Sequence, residues 1–144
     1  MSDPLYGKAL LRLAADAAGA GRLNDFDLEA SAYNPACGDR ISVTIKLDDS
    51  GLITAFGHET HACVLTQASA SILGAHVAGS DETRLRRLHD EVRAMLKQDG
   101  TASPPFADYA CLKGAASYRN RHTCVLLPID AALNALEQRP PDQT

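Results

Sequence analysis

Residues 40–51 read RISVTIKLDDSG and carry the clearest secondary-structure signal in the chain. Apolar side chains occupy every second position from Ile41 to Leu47, with polar side chains between them. Such alternation is typical of a strand with one buried face. The following DDSG is strong turn chemistry, and residues 52–60 then predict a returning strand. Residues 28–33 predict a further strand, so we expect an antiparallel meander with one solvated face.

Helical patterns flank this predicted meander on both sides. Asp3 as N-cap and Pro4 at the first helical position predict a helix that stops at the glycines near residue 20. Residues 62–78 are small and apolar and predict a second helix. An amphipathic stretch that stops near Gly100 predicts a third.

The last third of the chain predicts two more helices. A short helix is expected through Leu112, after a hinge at Ser103-Pro104-Pro105. The final helix is expected to run to about Gln138 with Pro128 in its first turn, where proline is tolerated. The predicted fold class is therefore α+β: a three-stranded antiparallel meander packed against about four to five helices.

Composition limits the classes of function. A length of 144 residues allows one domain with a real core, expected at residues 1–138, with a flexible tail at 139–144. The net charge of −4, the low aromatic content of 5% and the lack of tryptophan argue against a nucleic-acid partner. No apolar stretch approaches the ~20 residues that span a bilayer, and no signal-peptide pattern is seen, so we expect a cytoplasmic protein without a membrane partner.

Three of the four cysteines stand in settings that favour a shared site. Cys37 lies in the turn NPACGD, Cys63 lies where a predicted strand meets a helix, and Cys124 is expected just before the last helix. None has another cysteine within two or three residues, so the fold must bring them together. In the predicted α+β plan all three can meet at one end of the sheet. Such a pattern favours metal or thiol chemistry over a disulfide framework.

The residue types suit thiolate and metal chemistry. Unpaired N–H groups and the helix dipole favour negative charge at a helix N-terminus, and therefore a thiolate at Cys63. A thiolate is both a soft metal ligand and a nucleophile. Asp39 follows Cys37 by two residues, with Gly38 between them. Three sulfurs and one carboxylate oxygen would make a four-coordinate site for zinc or iron.

On these residues the chain resembles the U-type iron–sulfur cluster assembly family, the SufU/IscU group that includes the N-terminal part of NifU. The resemblance covers roughly Tyr6 to Leu136. Its matching stretches are YNPACGD at 33–39, Cys63 followed by ASAS at 68–71, and Arg121-x-x-Cys124 followed by DAA at 130–132.

The resemblance implies a metal ion, zinc or iron, or a nascent cluster, transiently a 2Fe–2S cluster, held by Cys37, Asp39, Cys63 and Cys124. It also implies that the cysteines accept persulfide sulfur from a cysteine desulfurase. A downstream cluster carrier or apo-protein would be the acceptor. The expected role is that of a non-enzymatic scaffold.

Several residues depart from the IscU pattern and place the resemblance nearer the SufU branch. Thr123 replaces the histidine that precedes the third cysteine, and Arg121 stands three residues before that cysteine. The interval from Cys63 to Cys124 is long for IscU. The chaperone-binding Leu-Pro-Pro-Val-Lys segment of IscU proteins is missing, and residues 117–121 stand in its place.

The sequence is compatible with other functions of the same residues. A zinc-dependent sulfurtransferase would use the same residues, with Cys124 as a mobile sulfur acceptor. A closed structural zinc site is a third possibility, which the oxygen ligand and the three distant segments weaken.

Single residues also have alternative roles. Arg121 would pair with Asp39 or Cys124, or else be a solvated surface residue. The simpler readings are that Asp39 ties its own turn, that Cys111 is a structural core residue, and that His61 and His122 lie near the site without being ligands.

Overall fold

The computed structural model describes residues 7–35, 38–98, 100–117 and 119–138. Its sheet contains the three expected strands, β1 (Leu28–Asn34), β2 (Asp39–Leu47) and β3 (Ile53–His61), in the order β1-β2-β3. Both pairings are antiparallel, so the predicted meander is confirmed. The alternation in β2 is also confirmed, because Ile41, Val43 and Ile45 are buried.

The other face of the sheet is less solvated than the alternation predicts. Thr44 is buried, because the chain before β1 crosses this face. The backbone N–H of Leu23 donates to the Thr44 hydroxyl at 3.1 Å. Gly57, the partner of Thr44 in β3, lies so close to the same segment that an added Cβ would stand 2.4 Å from the carbonyl oxygen of Gly21.

Five helices accompany the sheet in the part of the chain that is described. They are α1 (Lys8–Asp16), α2 (Val64–His76), α3 (Glu82–Leu96), a 3₁₀ helix (Ala107–Ser117) and α4 (Arg119–Glu137). Helices α2 and α4 pack on each other and against the strands, and α3 and the 3₁₀ helix pack against α4. The α+β class is therefore confirmed, and the short helix after the prolines extends beyond Leu112 to Ser117.

Helix α1 begins later than the sequence predicts. The predicted cap, Asp3 and Pro4, lies outside the described residues, as does the predicted tail at 139–144. The first helical residue is Lys8, and Gly7 before it has an extended backbone. None of the helices in the described ranges is long and apolar enough to cross a membrane.

Small residues on α2 allow the chain after α1 to approach closely. The Ser71 hydroxyl accepts a hydrogen bond from the backbone N–H of Ala18 at 3.1 Å. A Cβ on Gly74 would lie 1.9 Å from the carbonyl oxygen of Ala18, so only glycine fits there. The small residues of the ASAS stretch and Gly74 therefore determine how closely this helix packs.

The predicted start of the last helix is wrong. Pro128 is an interior residue of α4, and Cys124 lies within the helix rather than before it. Proline has no N–H to donate to the carbonyl of the residue four positions earlier, which here is Cys124. Side chains of α2 reach α4 at this point: the Thr66 hydroxyl oxygen lies 2.9 Å from the Cys124 carbonyl oxygen, and the Ser69 hydroxyl donates to the Val125 carbonyl at 2.7 Å. These long-range bonds help an interior proline to be accommodated.

Candidate metal centre

Three elements bring a carboxylate and two thiols together at one end of the sheet. Asp39 is the first residue of β2, Cys63 is the N-cap of α2, and Cys124 lies in the second turn of α4. One ligand atom from each of these three residues lies within 4.8 Å of the others. The expected convergence of Asp39, Cys63 and Cys124 is therefore found. Cys37, the fourth predicted ligand, lies outside the described residues.

The turn between β1 and β2 directs Asp39 into this site. Asn34 and Asp39 are the last paired residues of the two strands. The backbone N–H of Gly38 donates to the Asn34 carbonyl at 2.8 Å, and Gly38 has a positive φ of 74°, which favours glycine. Both Asn34 and Asp39 are buried, on the helix-covered side of the sheet end.

The Asp39 carboxylate is held by the start of α2. The backbone N–H of Cys63 donates to Oδ1 at 3.1 Å, and the Thr66 hydroxyl donates to Oδ2 at 2.8 Å. Burial raises the pKa of Asp39, but hydrogen bonds from Cys63, Thr66 and Cys124 together hold that pKa below its usual value. The alternative that Asp39 only stabilises its own turn by a side-chain hydrogen bond does not account for these contacts, because its carboxylate connects β2 to α2.

Cys63 stands where the sequence predicts, at the N-terminus of α2. Its backbone is extended, its carbonyl accepts the first helical bond from Gln67, and its side chain is half-buried. The Cys63 Sγ lies 3.5 Å from the Thr66 hydroxyl oxygen, one turn further along the helix. The predicted place of Cys63 at the start of this helix is therefore confirmed.

Cys124 has a different setting from the one predicted. Cys124 is fully buried, and it lies within α4 rather than just before it. The Asn34 side-chain amide donates to the Cys124 Sγ at 3.9 Å. Arg121 and His122 precede it in α4 and are half-buried, and His61 at the end of β3 is exposed.

Two residues of this site were missed by sequence reasoning. Asn34 stands in the NPACGD motif with no predicted role, although a polar residue that closes a strand before a cysteine turn is a usable signal. Thr66 has no predicted role either, although it occupies the third helical position after Cys63, from which a side chain points back to the helix start. Their contacts cross 27 to 90 positions of sequence, so only the fold reveals them.

Cys111 lies apart from these donors. It is half-buried on the 3₁₀ helix, packs against the core and does not belong to the group formed by Asp39, Cys63 and Cys124. Burial, followed by the nearby Asp108, raises the pKa of the Cys111 thiol to about 11. A thiol that stays protonated in this way is a poor ligand and a poor nucleophile, which agrees with its structural reading.

The donor set fits zinc or iron. Two sulfurs and one carboxylate oxygen are ligand types that zinc accepts, and thiolates also hold the iron of clusters. The three donors lie close enough together to share one ion, and a tetrahedral ion would take one further ligand.

Comparison with known proteins agrees with this geometry. The family model for the NifU-like N-terminal domain matches residues 5–125. The chain is 25% identical over 134 residues to the iron–sulfur cluster assembly scaffold protein IscU of Thermotoga maritima, covering 93% of this chain and 94% of that protein. It is 29% identical over 126 residues to the zinc-dependent sulfurtransferase SufU of Bacillus subtilis, covering 87% and 84%.

A solved structure has the same fold. The crystal structure of a NifU-like protein (N-terminal) from Brucella abortus superposes with a TM-score of 0.87 at 33% identity, covering 96% of this chain and 98% of that one. The sequence predicts a place nearer the SufU branch. The relatives carry both IscU and SufU names at similar identity, so neither branch is clearly favoured.

Proposed function

Because the chain belongs to the family of NifU-like N-terminal domains, we propose that it serves iron–sulfur cluster assembly as a scaffold. In this proposal Cys37, Asp39, Cys63 and Cys124 bind the metal or nascent cluster. The proposal depends on one observation: a carboxylate oxygen of Asp39 and the Sγ atoms of Cys63 and Cys124 all lie within 4.8 Å of one another. An iron–sulfur cluster, with 2Fe–2S as the expected form, is the cargo, and a downstream carrier or apo-protein receives it.

The sulfur enters from a cysteine desulfurase. An acceptor thiolate of this chain attacks the outer sulfur of the desulfurase persulfide, the S–S bond breaks, and the desulfurase cysteine leaves as a thiolate. A persulfide is then left on the acceptor, with no net oxidation. The half-buried Cys63 is within reach of a partner, whereas Cys124 is fully buried and needs a local opening of α4 to act as acceptor. We propose that Arg121, one helical turn before Cys124, supports the negative charge of that sulfur.

A zinc-dependent sulfurtransferase is the second candidate. It is favoured by the similarity to a relative of that name and by the donor set of two thiols and a carboxylate, since zinc accepts both ligand types. In that case zinc would be held by the same cysteines and Asp39 and would keep the site together, and Cys124 would be the thiol that accepts sulfur. Both candidates use thiols that must stay reduced, which fits the cytoplasm expected from the sequence.

Reconstitution tests the proposal. The protein is incubated under nitrogen with a cysteine desulfurase, cysteine, ferrous iron and a reductant, and is then separated and analysed for bound iron, acid-labile sulfide and visible absorbance. A scaffold acquires equal iron and sulfide, and both are lost in Cys63→Ser and retained in Cys111→Ala. Faster desulfurase turnover with zinc retained and no cluster would identify the sulfurtransferase. Neither a cluster nor faster turnover would contradict both candidates.

A further inference from the structure

Thr66 touches each of the three residues of the candidate site. It is fully buried on α2, three positions after Cys63. Its hydroxyl oxygen lies 2.8 Å from Oδ2 of Asp39, 2.9 Å from the carbonyl oxygen of Cys124 and 3.5 Å from the sulfur of Cys63. A threonine hydroxyl is not one of the usual zinc ligands, so Thr66 would act on the site through hydrogen bonds.

The Thr66 hydroxyl has one proton and two strong acceptors. A threonine hydroxyl donates a single hydrogen bond, so Asp39 and the Cys124 carbonyl compete for it. The Asp39 carboxylate is charged, and hydrogen bonds to charged groups are the stronger ones. The Cys124 carbonyl competes because Pro128, four positions later in α4, has no N–H to donate to it.

We propose that Thr66 is a positioning residue that directs the Asp39 carboxylate toward the two sulfurs as a metal ligand. This inference rests on the proposed function, because it assumes that the site takes up a metal. With Oδ1 held by the Cys63 N–H and Oδ2 held by Thr66, the carboxylate is fixed at both oxygens before a metal arrives. When the hydroxyl turns to the Cys124 carbonyl, Asp39 loses this donor, keeps its contacts with Cys63 and Cys124, and becomes easier to exchange.

The chain offers matched controls for this claim. Thr66→Val keeps the shape of the side chain and removes the hydroxyl, and Thr66→Ser keeps the hydroxyl. Ser69→Ala removes an equally buried hydroxyl from the same helix, where it donates to the Val125 carbonyl without contacting the site. A loss of zinc caused only by weaker packing between α2 and α4 would therefore occur in Ser69→Ala as well.

The test is zinc affinity of the reduced protein, measured by competition with a chromophoric zinc chelator. Removing a partner that orients a metal ligand typically costs about 10- to 100-fold in affinity, so Thr66→Val should lose about that much. Thr66→Ser and Ser69→Ala should stay within about 3-fold of the wild type, since neither removes the donor to Asp39. Thermal unfolding of the metal-free variants checks that each is folded.

A double mutant determines whether Thr66 acts through Asp39. If it does, Thr66→Val should have little further effect on zinc affinity in an Asp39→Ala background. Unchanged affinity in Thr66→Val, or an equal loss in both backgrounds, would overturn the inference while leaving the proposed function intact. A wild-type protein that binds no zinc and no iron would instead overturn the proposed function, and the inference with it.

Discussion

The Asp39 carboxylate accepts a hydrogen bond from the backbone N–H of Cys63, with 3.1 Å between the two atoms. This bond joins the first residue of β2 to the N-cap of α2. The first backbone N–H groups of a helix have no acceptor within the helix, and Asp39 supplies one. Asp39 therefore has two duties. It completes the junction between strand and helix, and in the proposed site it would supply the oxygen ligand.

Replacing Asp39 with Ala should affect both duties. The Cys63 N–H and the Thr66 hydroxyl would lose a buried acceptor, which typically costs about 1–3 kcal/mol of unfolding free energy. Zinc should also be held more weakly, since one ligand is gone. Urea unfolding and chelator competition measure the two effects. Asp48→Ala is the control, because Asp48 accepts from Ser50 and Leu52 within an exposed turn away from the site. If Asp39→Ala loses stability but keeps full zinc affinity, Asp39 has only the structural duty.

Replacing Cys124 with Ser should abolish the stimulation of a cysteine desulfurase. A serine hydroxyl cannot carry a persulfide, and it is a poor ligand for zinc or iron. The measurement is the rate of sulfide release by the desulfurase in the presence of a reductant, with and without this protein. Cys111→Ala should stimulate like the wild type, since its thiol lies outside the donor group. Full stimulation by Cys124→Ser would remove Cys124 from the list of acceptors.

Replacing Pro128 with Ala should tighten metal binding. The new N–H can donate to the Cys124 carbonyl in the ordinary helical pattern, so Thr66 no longer has a competing acceptor there. A single hydrogen bond is worth about 0.5–1.5 kcal/mol, so zinc should be bound about 2- to 10-fold more tightly. The gain should vanish in the double mutant with Thr66→Val. Weaker binding in Pro128→Ala would argue against competition for the Thr66 proton.

His58 should make stability depend on pH. Its Nδ1 lies 2.8 Å from the Thr60 hydroxyl, and its Nε2 lies 3.0 Å from the Ala18 carbonyl. Burial lowers the pKa of His58, and the bond to Ala18 only partly offsets this. The unfolded chain therefore takes up this proton at a higher pH than the folded one, so stability is lost as the pH falls through the ordinary value of 6.5 toward the lowered one.

The measurement for His58 is the free energy of unfolding of metal-free protein between about pH 7.5 and about pH 5.5. The wild type should lose more stability over that range than His58→Gln, while His61→Asn, at an exposed position of the same strand, should follow the wild type. Equal slopes for wild type and His58→Gln would show that His58 does not control this dependence.

The sheet and the place of Cys63 could be predicted because their signals are local. Alternation in β2 and the turn after it require no knowledge of the rest of the chain. The start of α4 could not be predicted, because Pro128 looks like a helix start until Thr66 and Ser69 are known to donate to the turn before it. The burial of Thr44 depends in the same way on a segment that crosses the sheet from outside.

In the candidate site, too, local signals predict some residues, and long-range contacts determine the others. The motif and the family resemblance identified Asp39, Cys63 and Cys124, and these residues do converge. The polar side chains that hold them, Asn34 and Thr66, belong to separate elements and are recognised only from their contacts.

The most direct test of the central claim is the metal and acid-labile sulfide content of protein purified without oxygen, together with its absorption spectrum. We predict about one bound zinc ion, or one cluster with equal iron and sulfide, per chain. This content should be lost in Cys63→Ser and Cys124→Ser and kept in Cys111→Ala. Zinc without sulfide would favour the sulfurtransferase, and iron with sulfide the scaffold. Metal retained in both serine variants, or absent from the wild type under every condition, would contradict a metal centre at Asp39, Cys63 and Cys124.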